Sequence, residues 1–461
     1  MSGRIVDRRP ALGTGYHSRT STRNRGAAQR AAPTTPSDRS AAMKHDVAII
    51  GGGIGGLTLA LTLHRAGIPC RVYEASPEIK PIGVGINLLP PAMKQLAELG
   101  LESELARVGI LTADACFFNR FGQLIYREPL GRAAGYDWPQ ISIHRGDLQM
   151  VLLDAVRQRI GDKRIHLGWQ CTGVGQDAGS ATAHFVRLGS GEALPDQRAA
   201  VAIACDGIHS TIRRQLYPDE GPPLYSGVNM WRGVTRWRPF LSKASMTRVG
   251  WLATGKMVIY PIRNNIDAEG RQLVNWVVEI ETPQHTLRDW NRAGRMEDFM
   301  PALKDWRFDW LDVPEFIRSA DMILEFPMVD QEPLPRWSFG RITLLGDAAH
   351  PMVPRGSNGA GQAIIDARTL ADCLAATEDA AAALKAYEGQ RLEATANIVR
   401  MNRKNPPDAI LREVYLRTGD KPFANIDDVI SKDELRALSD GYKRATGGDK
   451  AALQGQTRAA S

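Results

Sequence analysis

Cysteine is scarce in this chain: five occur in 461 residues, at Cys70, Cys116, Cys171, Cys205 and Cys373, with no CxxC pair. An odd, scattered set excludes a disulfide framework, and no histidine stands at metal-ligand spacing from one, so no metal is expected. A reducing compartment, the cytoplasm, is the expected location. Long uncharged runs are scarce too. Val47 to Leu63 is uncharged over seventeen residues but holds five glycines, whereas a spanning helix takes about 20 apolar residues. No membrane partner and no secretory signal peptide are expected. Acidic charge is slightly short, with a net +7, but residues 1–42 carry eight Arg against two Asp, leaving the other 419 residues at +1. That balance gives no footing for a nucleic-acid partner.

The remaining composition, 43% hydrophobic and 24% charged, suits a globular protein with an ample core. Residues 1–42 lack any apolar period and are expected to form a disordered basic tail. Their Arg- and Ser-rich character is also that of a transit peptide, though without its amphipathic face. From Met43 onward, short apolar runs alternate with helix-period segments, which indicates α/β architecture. Between about 221 and 324 the texture changes to the strand-like runs VNMWRGVTRW, KMVIYPI and QLVNWVVEI, as in a separate, mainly antiparallel sheet. After Asp379 the chain reads as helical, broken at Asn405, Pro406 and Pro407.

The run HDVAII (45–50) reads as a buried strand and leads into Gly51, Gly53 and Gly56 in GxGxxG spacing, with a helix following from Ile54. The first glycine permits the turn, the second lets a pyrophosphate approach, and the third lets helix and strand pack closely. The helix N-terminus offers free N–H groups to phosphates. A second strand, CRVYE, ends at Glu74, eighteen residues past Gly56, near the offset of about 20 at which a carboxylate meets ribose hydroxyls. These features predict a dinucleotide site without choosing among FAD, NAD and NADP.

Two further runs make that choice. AVAIACDGIHSTIR (200–213) reads as a strand ending in Asp206 and Gly207, and RITLLGDAAHPMVPRGSNGAGQAIIDARTLADCL (341–374) as a strand ending in Gly346 and Asp347. With the glycine fingerprint, in this order, they make the chain resemble the group A FAD-dependent aromatic monooxygenases of the para-hydroxybenzoate and salicylate hydroxylase type. The runs GVGINLLPPAM, SIHRGDLQM, NMWRGVT, DWNRAGRMED and FPMVDQEPLPRW are similar to its phenazine-modifying branch, typified by the N-methylphenazine carboxylate monooxygenase. The similarity spans about Lys44 to Tyr387.

The resemblance implies a Rossmann-like FAD-binding domain (43–115, 140–220 and 325–378), an inserted substrate domain (116–139 and 221–324) and a C-terminal helical region (379–461). It implies FAD as cofactor, NADH or NADPH as transient reductant, and dioxygen and an aromatic small molecule as partners, in a monomer or homodimer. Hydroxylation through a flavin hydroperoxide follows, with no protein residue assigned as catalytic. Cofactor contacts are expected from Gly51, Gly53, Ile54, Gly56, Glu74, Arg145, Asp206, Gly207, Gly346, Asp347, Gly356 and Asn358. Arg145 begins a helix whose dipole repels a cation, which asks for an anion nearby, supplied by the pyrophosphate or by neighbouring Asp147. Asp347 is placed for a ribityl hydroxyl. Asp206 has a second reading as a helix-start carboxylate, and His350 reads as structural rather than as a base.

Seven of the ten tryptophans fall between 221 and 324, which suits either a flat aromatic substrate or a half-buried sheet. Trp231, Arg232 and Tyr260 are the expected pocket residues. Arg355, which the phenazine branch lacks, is expected to alter substrate choice unless it is a solvated loop cation. Two rival readings are a flavin-dependent dehydrogenase or oxidase without oxygen insertion, and a non-catalytic flavin-loaded binding protein.

Overall fold

A computed structural model describes residues 45–282, 292–404, 408–451 and 453–454. The expected tail at 1–42, the break at 405–407 and Trp290 lie outside the described residues.

The uncharged run that imitates a membrane span is a buried strand, Val47–Ile50, a glycine turn, and the helix Ile54–Arg65. No helix among the described residues is long and apolar enough to cross a membrane. The strand lies inside a six-stranded sheet ordered Ser338–Phe339, Ile342–Leu344, Val201–Ala204, Val47–Ile50, Cys70–Glu74, Ile165–Leu167. Its pairings are parallel except at the Ser338–Phe339 edge. Continuous apolar runs such as VAII and VAIA are what a parallel sheet covered on both faces requires. The three strands that carry the sequence motifs are neighbours in this sheet, so their carboxyl ends open side by side.

A second sheet has eight strands, ordered Arg292–Ala293, Ala320–Asp330, Leu224–Trp237, Gln272–Glu281, Gly255–Arg263, Ser245–Trp251, Asp114–Phe118, Leu124–Pro129. Its pairings are antiparallel apart from Ser245–Trp251 with Asp114–Phe118. The boundaries expected at 115/116 and 324/325 cut the strands Asp114–Phe118 and Ala320–Asp330, because pairing continues across both positions. Helices follow at Ala380–Lys404, Ala409–Thr418 and Lys432–Ala445, the last opened by a Ser431–Glu434 capping box.

Period-two alternation gives the second sheet two different faces. One carries Trp231, Trp237, Val249, Met257, Ile259, Val274, Trp276 and Val278, packed under Phe299, Leu303, Trp306 and Phe316. The other carries Met230, Arg232, Met246, Arg248, Lys256, Val258, Tyr260, Val277 and Glu279. The tryptophan enrichment therefore belongs to a core: Trp231, Trp237, Trp276 and Trp306 lie in it and Trp310 packs against it. Gly233 makes room there, since a Cβ would sit 2.3 Å from the Trp276 ring.

The polar face meets the other module at the short strand Gly85–Leu88. Gly85 N–H donates to Asn275 Oδ1 at 2.7 Å, and Gly85 O accepts from Tyr260 Oη and from an Arg232 Nη, each at 2.9 Å. Asn275 is fully buried, so removing its oxygen leaves a buried donor unsatisfied, at a cost of about 1–3 kcal/mol. Asn275→Ala is expected to lower the unfolding free energy in urea by that amount; an unchanged midpoint and slope would show that this junction bears no load.

Candidate functional site

A cleft of about 470 Å³ opens at the carboxyl ends of the parallel strands, lined by Gly51, Gly53, Glu74, Arg145, Gln149, Asp206 and Gly207 among others. Gly51 has φ +109°, and a Cβ there would meet Cys205 O at 2.3 Å; a Cβ on Gly56 would meet Gly51 O at 2.0 Å. Gly53 has nothing within 4 Å of a Cβ, so its backbone is open towards the cleft. Turn, open cradle and close helix packing thus fall on the three fingerprint positions in order. Ile54 is the first residue of the helix and is buried.

Glu74 is held by Gly52 N–H at 2.7 Å and Ser76 N–H at 2.8 Å. Arg145 begins the helix Arg145–Arg159 and is exposed into the cleft. Asp147 pairs with Arg263 instead, and among the described residues no hydrogen bond or ion pair occupies the Arg145 guanidinium. An exposed cation at a helix N-terminus without a partner is a receptor for an anion.

Asp206 accepts from Thr211 N–H at 2.8 Å, so it serves as a helix-start carboxylate while lining the cleft; its Oδ1 is buried without a partner, and burial raises its pKa. Gly207 borders the same cleft. Asp347 keeps its accessible surface and accepts no hydrogen bond among the described residues, yet the surrounding protein raises its pKa. It stands three residues past the strand Ile342–Leu344, at the carboxyl edge of the six-stranded sheet, where its carboxyl is free to meet a hydroxyl.

Deep burial fixes the loop around Asp347. Arg213 donates to Ala348 O at 3.0 Å and Ala349 O at 2.9 Å. Asp366 accepts from Gly346 N–H at 3.2 Å and Arg391 Nε at 2.7 Å, and its Oδ2 lies 2.6 Å from His350 Nε2. Against burial, the His350 ring and the Arg391 guanidinium beside it hold the Asp366 carboxyl below its ordinary range. His350 is a strut in this network.

Beyond the loop lie two adjoining lobes. One, about 110 Å³, is lined by Pro90, Pro91, Phe117, Leu130, Met246 and Ile365 and by Asn358 at the start of the helix Gly359–Ala376. The other, about 60 Å³, is lined by Arg232, Arg248, Lys256, Tyr260, Glu279, Arg355 and Asp408. Met246, Arg248, Gly356 and Ser357 border both. Gly356 is forced to be glycine, because a Cβ would fall 1.6 Å from Tyr442 Oη, which also accepts from Asn358 Nδ2 at 2.7 Å.

The sequence profile of the FAD binding domain family matches residues 44–240 and 317–402. Phenazine 1,6-dicarboxylic acid hydroxylase of Lysobacter antibioticus is 42% identical over 366 residues, 78% of this chain and 90% of that protein. The chain belongs to the FAD-dependent aromatic monooxygenases. The 6-hydroxynicotinate 3-monooxygenase of Bordetella bronchiseptica is 30% identical over 390 residues, covering 82% of this chain and 94% of its own. Klebsiella pneumoniae HpxO, solved with FAD and uric acid, shares the fold with a TM-score of 0.67 at 24% identity, over 88% of this chain and 96% of that one.

In this monooxygenase the chain oxidises an aromatic substrate with FAD. The residues present fit the cofactor: the cleft offers an unpartnered cation for phosphates and an open glycine backbone, and a free carboxylate for a hydroxyl follows the motif strand Ile342–Leu344 of the same sheet. Of the expected pocket residues, Arg232, Tyr260 and Arg355 line the charged lobe. Trp231 does not line it. Its ring stacks on Phe299 at 5.2 Å in the opposite core, because it is out of phase with Arg232 on the same strand. Arg355 is an enclosed side chain and not a solvated loop cation: only 9% is exposed.

Arg248, Lys256, Glu279, Asp408, Arg213 and Tyr442 were not foreseen. Lys256 opens the run KMVIYPI in phase with Tyr260, which is a signal in the sequence, whereas Asp408 has none, arriving from the far end of the chain. Asp347→Ala removes a charge-assisted hydrogen bond, worth about 1.5–3 kcal/mol, so FAD should dissociate about ten- to a hundredfold more readily in a flavin-fluorescence titration. Unchanged affinity would remove Asp347 from the cofactor site.

Proposed function

We propose that the chain hydroxylates a flat, fused-ring aromatic acid of the phenazine kind, consuming NADH or NADPH and dioxygen. The observation that carries this reading is the two-lobed cavity beside the 354–358 loop, one lobe apolar and the other cationic. An aromatic ring suits the first and a carboxylate the second. The 42% identical relative is named for a phenazine dicarboxylic acid, in keeping with that pairing.

When bound, FAD supplies the electron transfer and the oxygen chemistry. The chain's own residues place the ring and exclude water. Tyr260 keeps its proton, since burial raises its pKa, and its hydroxyl donates a hydrogen bond to Gly85 O. The helix Gly359–Ala376 presents its N-terminal turn to the apolar lobe, which favours negative charge developing there. Gly51, Gly53, Ile54, Gly56, Glu74, Arg145, Asp206, Gly207, Gly346, Asp347, Gly356 and Asn358 serve the cofactor; Arg232, Tyr260 and Arg355 serve the substrate. Five free cysteines suit a reducing, cytoplasmic setting.

The test uses FAD-loaded protein and a panel of aromatic acids, phenazines and quinones, following NADH and NADPH oxidation with hydrogen peroxide measured in parallel. A true substrate should accelerate oxidation at least tenfold and return little peroxide. Acceleration by none, or stoichiometric peroxide with every compound, would contradict the proposal.

A further inference from the structure

Charge in the cationic lobe does not balance. Arg232, Arg248, Lys256 and Arg355 face it against two carboxylates, Glu279 and Asp408, a surplus of two formal charges. Pairing inside the lobe is uneven. Lys256 Nζ lies 2.9 Å from Glu279 Oε1 and also donates to Asp408, and Arg248 Nε lies 3.1 Å from Asp408 Oδ1. Asp408 is thereby committed to Lys256 and Arg248, while Glu279 is bonded to Lys256 through Oε1 alone, its Oε2 being buried with no hydrogen-bond partner; these side chains are 2–11% exposed.

Arg355 and Arg232 are the remainder. Arg355 Nε stands 3.6 Å from Glu279 Oε2, too far for a hydrogen bond, and its Nε and Nη2 are buried with no hydrogen-bond partner. Arg232 spends one Nη on Gly85 O, and its buried Nε has no partner. A guanidinium enclosed this way is costly until an anion meets it, and its planar donors suit a carboxylate held by two bonds. Asp408 lies beyond residue 402, where the FAD-domain match ends, so part of the charge count is set from the C-terminal helices.

We propose that this lobe receives the anionic groups of an aromatic dianion, with Arg355 as the specificity-determining ligand and Asp408 as the residue that limits the surplus to two. The proposal rests on the aromatic-acid reading above and adds the number of charges and the residues that count them. A ring in the apolar lobe reaches the charged one past Met246 and Ser357, which border both.

The experiment titrates FAD-loaded protein with naphthalene-2-carboxylate and with naphthalene-2,3-dicarboxylate, flat fused-ring acids of which the second carries two adjacent carboxylates that can enter one lobe together, reading Kd from the flavin absorbance change. The wild type should bind the dicarboxylate at least tenfold more tightly. Arg355→Gln should abolish that preference with FAD content unchanged, and Arg355→Lys should keep part of it. A wild type that binds the monocarboxylate as tightly, an Arg355→Gln variant with the same ratio, or one that loses FAD instead of the preference, would each overturn the proposal. Selective binding here, with no compound of the wider aromatic-acid panel accelerating NADH or NADPH oxidation, would leave this inference standing and sink the proposed reaction.

Discussion

One backbone carbonyl, alongside the Asp147–Arg263 ion pair, ties the two halves of the molecule together. Gly85 O accepts from both Tyr260 and Arg232 while its own N–H is taken by Asn275. That cluster sets where the polar face of the eight-stranded sheet sits against the dinucleotide-binding module. The direction of Arg232 follows from it, leaving the buried Nε–H of that side chain without a partner at the wall of the charged lobe. Tyr260 and Arg232 are thus walls of the cavity and also the pins that hold it at a fixed distance from the cofactor loop.

The cofactor half obeys local rules that a sequence displays openly. A buried parallel strand must be apolar throughout, and a glycine is required where a Cβ would strike a carbonyl, as at Gly51 and Gly56. The three motif strands are short, and their side-by-side order follows from the doubly wound topology that the glycine fingerprint announces. That Glu74 ends a strand, that Arg145 opens a helix and that Asp347 follows a strand was legible for the same reason, since the apolar runs mark where those elements begin and end.

The substrate half was less legible because its faces depend on phase. Trp231 and Arg232 are adjacent, yet pleating sends one into an aromatic core and the other into the cavity. The phase is set by which face the Phe299, Leu303 and Trp306 segment covers, and that is a tertiary fact. Asp408 is harder still. It lies 152 residues from Lys256, and its buried charge is tolerated only because Lys256 and Arg248 wait for it. Nothing within its own helix marks it, since its side chain caps no N–H there.

In the proposed reaction the cofactor cleft and the two-lobed cavity serve one chemistry, in which the chain contributes placement, charge and dryness and FAD contributes the reactivity. The most direct test is turnover under 18O2 with the best substrate, the product being analysed by mass spectrometry. The account predicts one labelled oxygen in each hydroxylated molecule. Product oxygen drawn from water, or oxidised product without added oxygen alongside labelled peroxide, would contradict it.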